Sequence, residues 1–176
     1  MKKKKVMIFV LSVIFIFTAL PAAFAHKFVL YPDNFTVPQG GTAGVYWTYT
    51  EVIGTPEYSR WGTDYVYREV DWPVEVVYKD GTISDITDKF EPYDFKTKTI
   101  VAPEASDSDH ARFTINGPGT VVIHGNFRGM MNTSDFGGPD MDVHSISHVK
   151  TFLNLTNDGV ATKRLGGSGV LEVVFA

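Results

Sequence analysis

The chain has 176 residues, a formal net charge of −4 and no cysteine. The lack of cysteine excludes disulfides, thiolate zinc sites and a cysteine-linked lipid anchor. The acidic balance excludes the basic face that binds nucleic acid or anionic membranes, and it favours small cations as ligands.

The N-terminal segment has the three parts of a secretory signal peptide. Lys2–Lys5 are basic, Val6–Leu20 is largely apolar, and Ala23-Phe24-Ala25 has small residues at both positions that a signal peptidase reads. The run is shorter than the about 20 apolar residues of a transmembrane anchor. We therefore expect residues 1–25 to be cleaved, leaving a periplasmic or secreted protein whose first residue is His26.

The predicted mature chain, His26–Ala176, has 151 residues, which is the size of one domain. Cleavage removes four lysines and no acidic residue from a chain of net charge −4, so the mature net charge is −8.

Alternating apolar residues between turn signals predict β-strands along nearly the whole mature chain. Asp80-Gly81 predicts one hairpin, and the Gly-rich segment after Asn116 predicts a second. The predicted strands are Lys27–Tyr31, Thr42–Thr50, Pro73–Tyr78, Thr82–Thr87, Phe95–Val101, Ala111–Ile115, Thr120–Asn126, Val149–Leu155 and Val170–Phe175.

Seven to nine short strands without a sustained helical period predict an all-β fold, an antiparallel β-sandwich, with a closed barrel as the alternative. Two segments, Glu51–Asp71 and Phe127–Val143, are predicted to be long loops. The first is aromatic and offers either a platform for sugar rings or ordinary packing; its aromatic residues are Tyr58, Trp61, Tyr65, Tyr67 and Trp72.

His26 is the first candidate metal ligand, because a histidine at a free N-terminus offers two nitrogens to one ion. Its α-amine and its ring titrate at about 8 and about 6.5, so both nitrogens can lose a proton at modest cost when a metal ion competes with the proton. A second histidine completes a histidine brace, whose three nitrogens suit copper or nickel. The alternative is that cleavage leaves a histidine first by chance, and a cut one residue away would remove the chelate.

A cluster of possible ligands follows in Asp140–His148, where Asp140, Asp142, His144 and His148 are evenly spaced. On a strand they share one face with neighbours about 6–7 Å apart, and His144 and His148 lie too far apart to chelate together. In a helical turn, His144 and His148 would instead form a pair. A solvated polar loop is the non-metal alternative.

His124 is predicted to lie opposite Val121 and Ile123 on a strand, which makes it a further candidate ligand or a hydrogen-bonded structural histidine. His110 follows the acidic segment Glu104–Asp109 and is expected to be exposed to solvent.

The segments Ala25–Pro32, Phe35–Thr42, His148–Phe152 and Val170–Val174 resemble the periplasmic domain-of-unknown-function family once labelled NikM-like, after a nickel-transport complex. The resemblance implies an immunoglobulin-like β domain for transition-metal uptake or handling, with His26 as a ligand. Family members often continue into a second β domain. This sequence ends at Ala176, so we expect a one-domain version.

These features predict a protein that binds nickel, cobalt or copper through His26 with His124, His144, His148 and Asp142 as further ligands. Its expected partners are the metal ion and a membrane transporter component. Two alternatives remain: an interaction or adhesion module with incidental histidines, and a histidine-brace copper oxygenase acting on polysaccharide. No nucleophile motif indicates another enzyme class.

Overall fold

The computed structural model describes residues 27–50, 55–60 and 68–159. For residues 27, 68–70 and 135–136 the description is limited to the backbone. The expected signal peptide, His26 and the expected last strand Val170–Phe175 lie outside these residues.

Ten strands make up most of the described chain. They are β1 (Lys27–Pro32), β2 (Thr42–Thr50), β3 (Arg68–Asp71), β4 (Val74–Val77), β5 (Ile83–Asp85), β6 (Glu91–Asp94), β7 (Thr99–Ile100), β8 (Ser108–Thr114), β9 (Val121–Asn132) and β10 (Asp142–Leu153). Short 3-10 turns occur at Thr87–Lys89, Pro103–Ala105 and Thr133–Phe136.

The strands form two antiparallel sheets. The order in the first sheet is β1-β2-β8-β6-β7, and the order in the second is β10-β9-β4-β5. Strands β3 and β4 follow one another along the same side of β9. The prediction of an all-β fold with two antiparallel sheets is confirmed, and among the described residues the sheets are not joined into a barrel.

The core lies between the sheets and is filled by alternate residues of the facing strands. Val45 and Trp47 of β2 belong to the same buried cluster as Ile123 and Phe127 of β9. Phe28 of β1 stacks on Phe127, with ring centroids 3.7 Å apart. Full burial of side chains of this kind stabilises the fold by about 1.5–3 kcal/mol each. Both faces of β2 are buried, as its bulky alternation predicts.

The predicted strand Phe95–Val101 is wrong, because a turn interrupts it. The Asp94 carboxylate accepts hydrogen bonds from the backbone N–H groups of Lys96 and Thr97, at 2.8 and 2.9 Å. An aspartate that binds the backbone two residues ahead favours a turn over a strand. The chain therefore turns through residues 95–98 between β6 and β7.

The predicted loop Phe127–Val143 is too long, since β9 continues to Asn132 and β10 begins at Asp142 in a long hairpin. Residues 133–141 join the two strands and begin with the 3-10 turn Thr133–Phe136. The Asn132 side chain accepts a hydrogen bond from the Ser134 N–H at 2.9 Å, and Gly137 ends the turn with a φ of +77°. This hairpin fixes the register that positions the histidines.

Candidate functional site

The second sheet has an outer face, on the side away from the core. Val121 and Ile123 of β9 belong to the main core, whereas Val122 packs in a separate small cluster with Val77 and Phe152. Because side chains alternate along a strand, His124 and Asn126 share the outer face with Val122. The predicted placement of His124 opposite Val121 and Ile123 is confirmed.

His124 and His148 contact each other on this outer face. In the β9–β10 register His124 faces Lys150 and His148 faces Asn126, so the two histidines are diagonal neighbours. His124 Nε2 and His148 Nδ1 lie 3.1 Å apart, and the ring planes are within 6° of parallel. His124 is only 4% exposed. A hydrogen bond between two ring nitrogens uses one N–H and one lone pair, so the pair shares a proton.

An amide oxygen lies in the same neighbourhood. Asn126 is directly opposite His148, and its Oδ1 is buried with no hydrogen-bond partner in the described part of the chain. A buried acceptor without a partner costs about 1–3 kcal/mol. Glu75 of β4 is directly opposite His124 on the other side. Asn126 and Glu75 are thus the register neighbours of the histidine pair on the two adjacent strands.

The spacing of the two nitrogens is compatible with binding one metal ion. Imidazole nitrogens bind ions such as zinc at about 2.0–2.1 Å, so two of them at right or tetrahedral angles lie about 2.8–3.4 Å apart. The observed 3.1 Å lies within this interval. Binding would require the hydrogen-bonding proton to leave the nitrogen that carries it, since both nitrogens must offer lone pairs.

The other predicted ligands lie elsewhere. His144 is exposed on β10, four residues and about 13 Å along the strand from His148. Asp142 is exposed and accepts a hydrogen bond from the Asn132 side chain at 3.1 Å. The helical-turn alternative for this segment is wrong, because β10 covers it. His26 lies outside the described residues.

No cluster of three or more metal-binding side chains from His, Asp and Glu occurs within residues 27–50, 55–60 and 68–159. Within these residues, therefore, no third His, Asp or Glu joins the His124–His148 pair.

The prediction that His110 is exposed is wrong. It lies in β8, which pairs with both β2 and β6, and it is 6% exposed. Its Nε2 is 3.1 Å from Asp33 Oδ2, and its ring packs on Tyr46 and Tyr93 at centroid distances of 4.5 and 4.8 Å. Burial lowers the pKa of His110, and the charge of Asp33 opposes that shift.

Gly44 makes the contact between Asp33 and His110 possible. A Cβ at this position would lie 1.9 Å from Asp33 Oδ2 and 2.7 Å from His110 Nε2. The adjacent Tyr46 phenol has a raised pKa, first because of burial and then because of the Asp33 charge. A glycine within a strand of bulky residues marks a close approach, and this signal in the sequence could have located the pair.

The described aromatic residues of the Glu51–Asp71 region and its border pack against the core. Trp72 meets Trp47 edge to face at 4.6 Å, and Tyr58 pairs with Tyr49 through backbone hydrogen bonds. Packing rather than ligand stacking therefore explains Tyr58 and Trp72. Trp61, Tyr65 and Tyr67 lie outside the described residues.

No family model, curated protein or solved structure matches this chain. Among the residues that the structure describes, no helix is long and apolar enough to cross a membrane.

Proposed function

We propose that this chain is an exported, periplasmic or secreted protein that binds nickel, cobalt or copper through His124 and His148. The observation that carries the proposal is the 3.1 Å contact between His124 Nε2 and His148 Nδ1. Asn126, directly opposite His148, has a buried Oδ1 without a hydrogen-bond partner in the described part of the chain, and it is the third donor of the proposal. Imidazole with an oxygen ligand suits this group of ions.

An immunoglobulin-like fold is part of the proposal. In that fold the strands A, B, E and D form one sheet, and C, F and G form the other. The strand orders β1-β2-β8-β6 and β10-β9-β4 correspond to A-B-E-D and G-F-C. This correspondence supports the type of sandwich that the family resemblance implies.

His26 is a second ligand set in the proposal. Cleavage after Ala25 would expose its α-amine and ring as a chelate, one residue before β1 begins at Lys27. The proposed role is to hold a cation outside the cytoplasm for a membrane transporter component. The family resemblance and the acidic charge of the chain support this role.

Metal titration of the exported, mature protein tests the histidine pair. We expect the native protein to bind a nickel or copper ion at this pair, and we expect His148→Ala to weaken binding there at least about tenfold, equal to about 1.4 kcal/mol. His144→Ala is the matched control, since His144 lies on the same face of the same strand but outside the pair. Equal weakening by both substitutions would contradict the proposal.

A separate variant tests the N-terminal chelate. One alanine added ahead of His26 removes the free α-amine from that residue and leaves the His124–His148 pair unchanged. A loss of affinity confined to this variant would assign the ion to His26 alone. An ion that binds only the folded state must raise its melting temperature. If nickel, cobalt and copper all fail to do so, the interaction-module alternative replaces the metal proposal.

A further inference from the structure

A cleft of about 380 Å³ lies on the first sheet, away from the His124–His148 pair. Clefts of about 300–1,000 Å³ are typical of small-molecule sites. Three cationic side chains line it, those of Lys89, Lys98 and Arg112. The uncharged part of its lining includes Tyr93, Ile100 and His110. Tyr93 and His110 are buried, so part of the cleft has a fixed shape.

The charge of the cleft is opposite to the charge of the protein. Glu91 is the acidic residue of the lining, so the three cations leave a net charge of +2 in a chain of −4. Within the described residues, Lys89, Lys98 and Arg112 form no ion pair with a carboxylate. The nearby Asp33 already contacts His110. Cations grouped in a cleft concentrate anionic ligands there.

Lys98, which lines the cleft, has an unusual backbone conformation. Its φ is +61°, in the left-handed region that normally favours glycine. Its N–H donates to the Asp94 carbonyl oxygen at 2.9 Å, and its ammonium lies 3.2 Å from the centre of the Phe95 ring. A strained residue of this kind often marks a functional position. Glycine would relieve the strain, but it would also remove the cation.

We propose that this cleft binds a small organic anion with two or three carboxylates. The Arg112 guanidinium matches a carboxylate with two parallel N–H donors, and the two lysines bind as point charges. Tyr93 and Ile100 contact the carbon skeleton. The proposal is independent of metal binding, because the cleft and the histidine pair lie on different sheets.

Calorimetry with metal-free protein tests the proposal, with propane-1,2,3-tricarboxylate as the probe and its trimethyl ester as the uncharged control. We expect saturable binding of the tricarboxylate and none of the ester. Absence of tricarboxylate binding at millimolar concentration would overturn the proposal. Tighter binding of inorganic phosphate would also overturn it, because the carbon skeleton would then contribute nothing.

Lys98→Gly locates the binding in the cleft. We expect it to weaken tricarboxylate binding at least tenfold without lowering the melting temperature, because glycine suits the backbone there. Lys96→Ala removes the same charge from the same turn but not from the cleft lining, and it should bind as the native protein does. Equal losses in both variants would indicate nonspecific attraction and would contradict the assignment. Arg112→Gln should also weaken binding at least tenfold.

Discussion

Gly44→Ala should destabilise the protein through the contact between Asp33 and His110. The added Cβ would lie 1.9 Å from Asp33 Oδ2, well inside van der Waals contact, and 2.7 Å from His110 Nε2. The Asp33 side chain is partly exposed and can move away, whereas His110 is buried between strands. We therefore expect the Asp33 carboxylate to leave, so that the buried imidazole loses its partner.

The expected cost is about 1–3 kcal/mol, the penalty for a buried polar group that loses its hydrogen bond. For a domain of about 150 residues, each kcal/mol lowers the melting temperature by about 2–4 °C. Urea denaturation followed by tryptophan fluorescence measures the free energy of unfolding directly.

A double-mutant cycle separates the proposed cause from a general effect of alanine in β2. In an Asp33→Ala background the clash with Oδ2 is absent, so Gly44→Ala should cost at least about 1 kcal/mol less than in the native protein. Equal costs in both backgrounds would refute the reasoning, because Gly44 would then serve a purpose other than the Asp33–His110 contact.

Three other predictions concern stability. Asp109→Ala should lower the free energy of unfolding in urea by about 3–5 kcal/mol. The fully buried Asp109 carboxylate accepts a hydrogen bond from the Arg60 backbone N–H at 2.6 Å, and it lies 3.7 Å from Nε of the Arg60 guanidinium. Asp109→Asn should cost less. Asn154→Ala should lower the free energy of unfolding by about 1–2 kcal/mol more than Asn154→Gly. Both variants lose the two hydrogen bonds between the Asn154 side chain and the Val37 backbone, but only alanine is strained at a φ of +51°. Burial lowers the pKa of His110, so the unfolded state takes up the histidine proton at a higher pH than the folded state does. The free energy of unfolding should therefore fall as the pH drops below about 6.5. The decrease should be smaller in His110→Gln.

The sequence predicts the strands whose own residues carry the signal. β2 is bounded as expected, because bulky alternation between turn residues is a local property. The extension of β9 beyond Asn126 and the start of β10 before Val149 are missed, because the glycine and polar residues there look like a loop.

The candidate site depends on properties that a single sequence does not contain. His124 and His148 meet only because of the register of β9 with β10, and a slip of one residue would place His148 on the opposite face. Even spacing on a strand correctly separates His144 from His148, but it carries no information about which residue lies across from either. The burial of His110 likewise depends on β8 pairing with two strands that are distant in sequence.

Anomalous diffraction from crystals of the mature protein soaked in nickel or copper tests the central claim most directly. The proposal predicts an anomalous peak about 2.0–2.1 Å from both His124 Nε2 and His148 Nδ1. A peak found only at the His26 amine or at His144, or no peak with the two ring nitrogens still 3.1 Å apart, would contradict it.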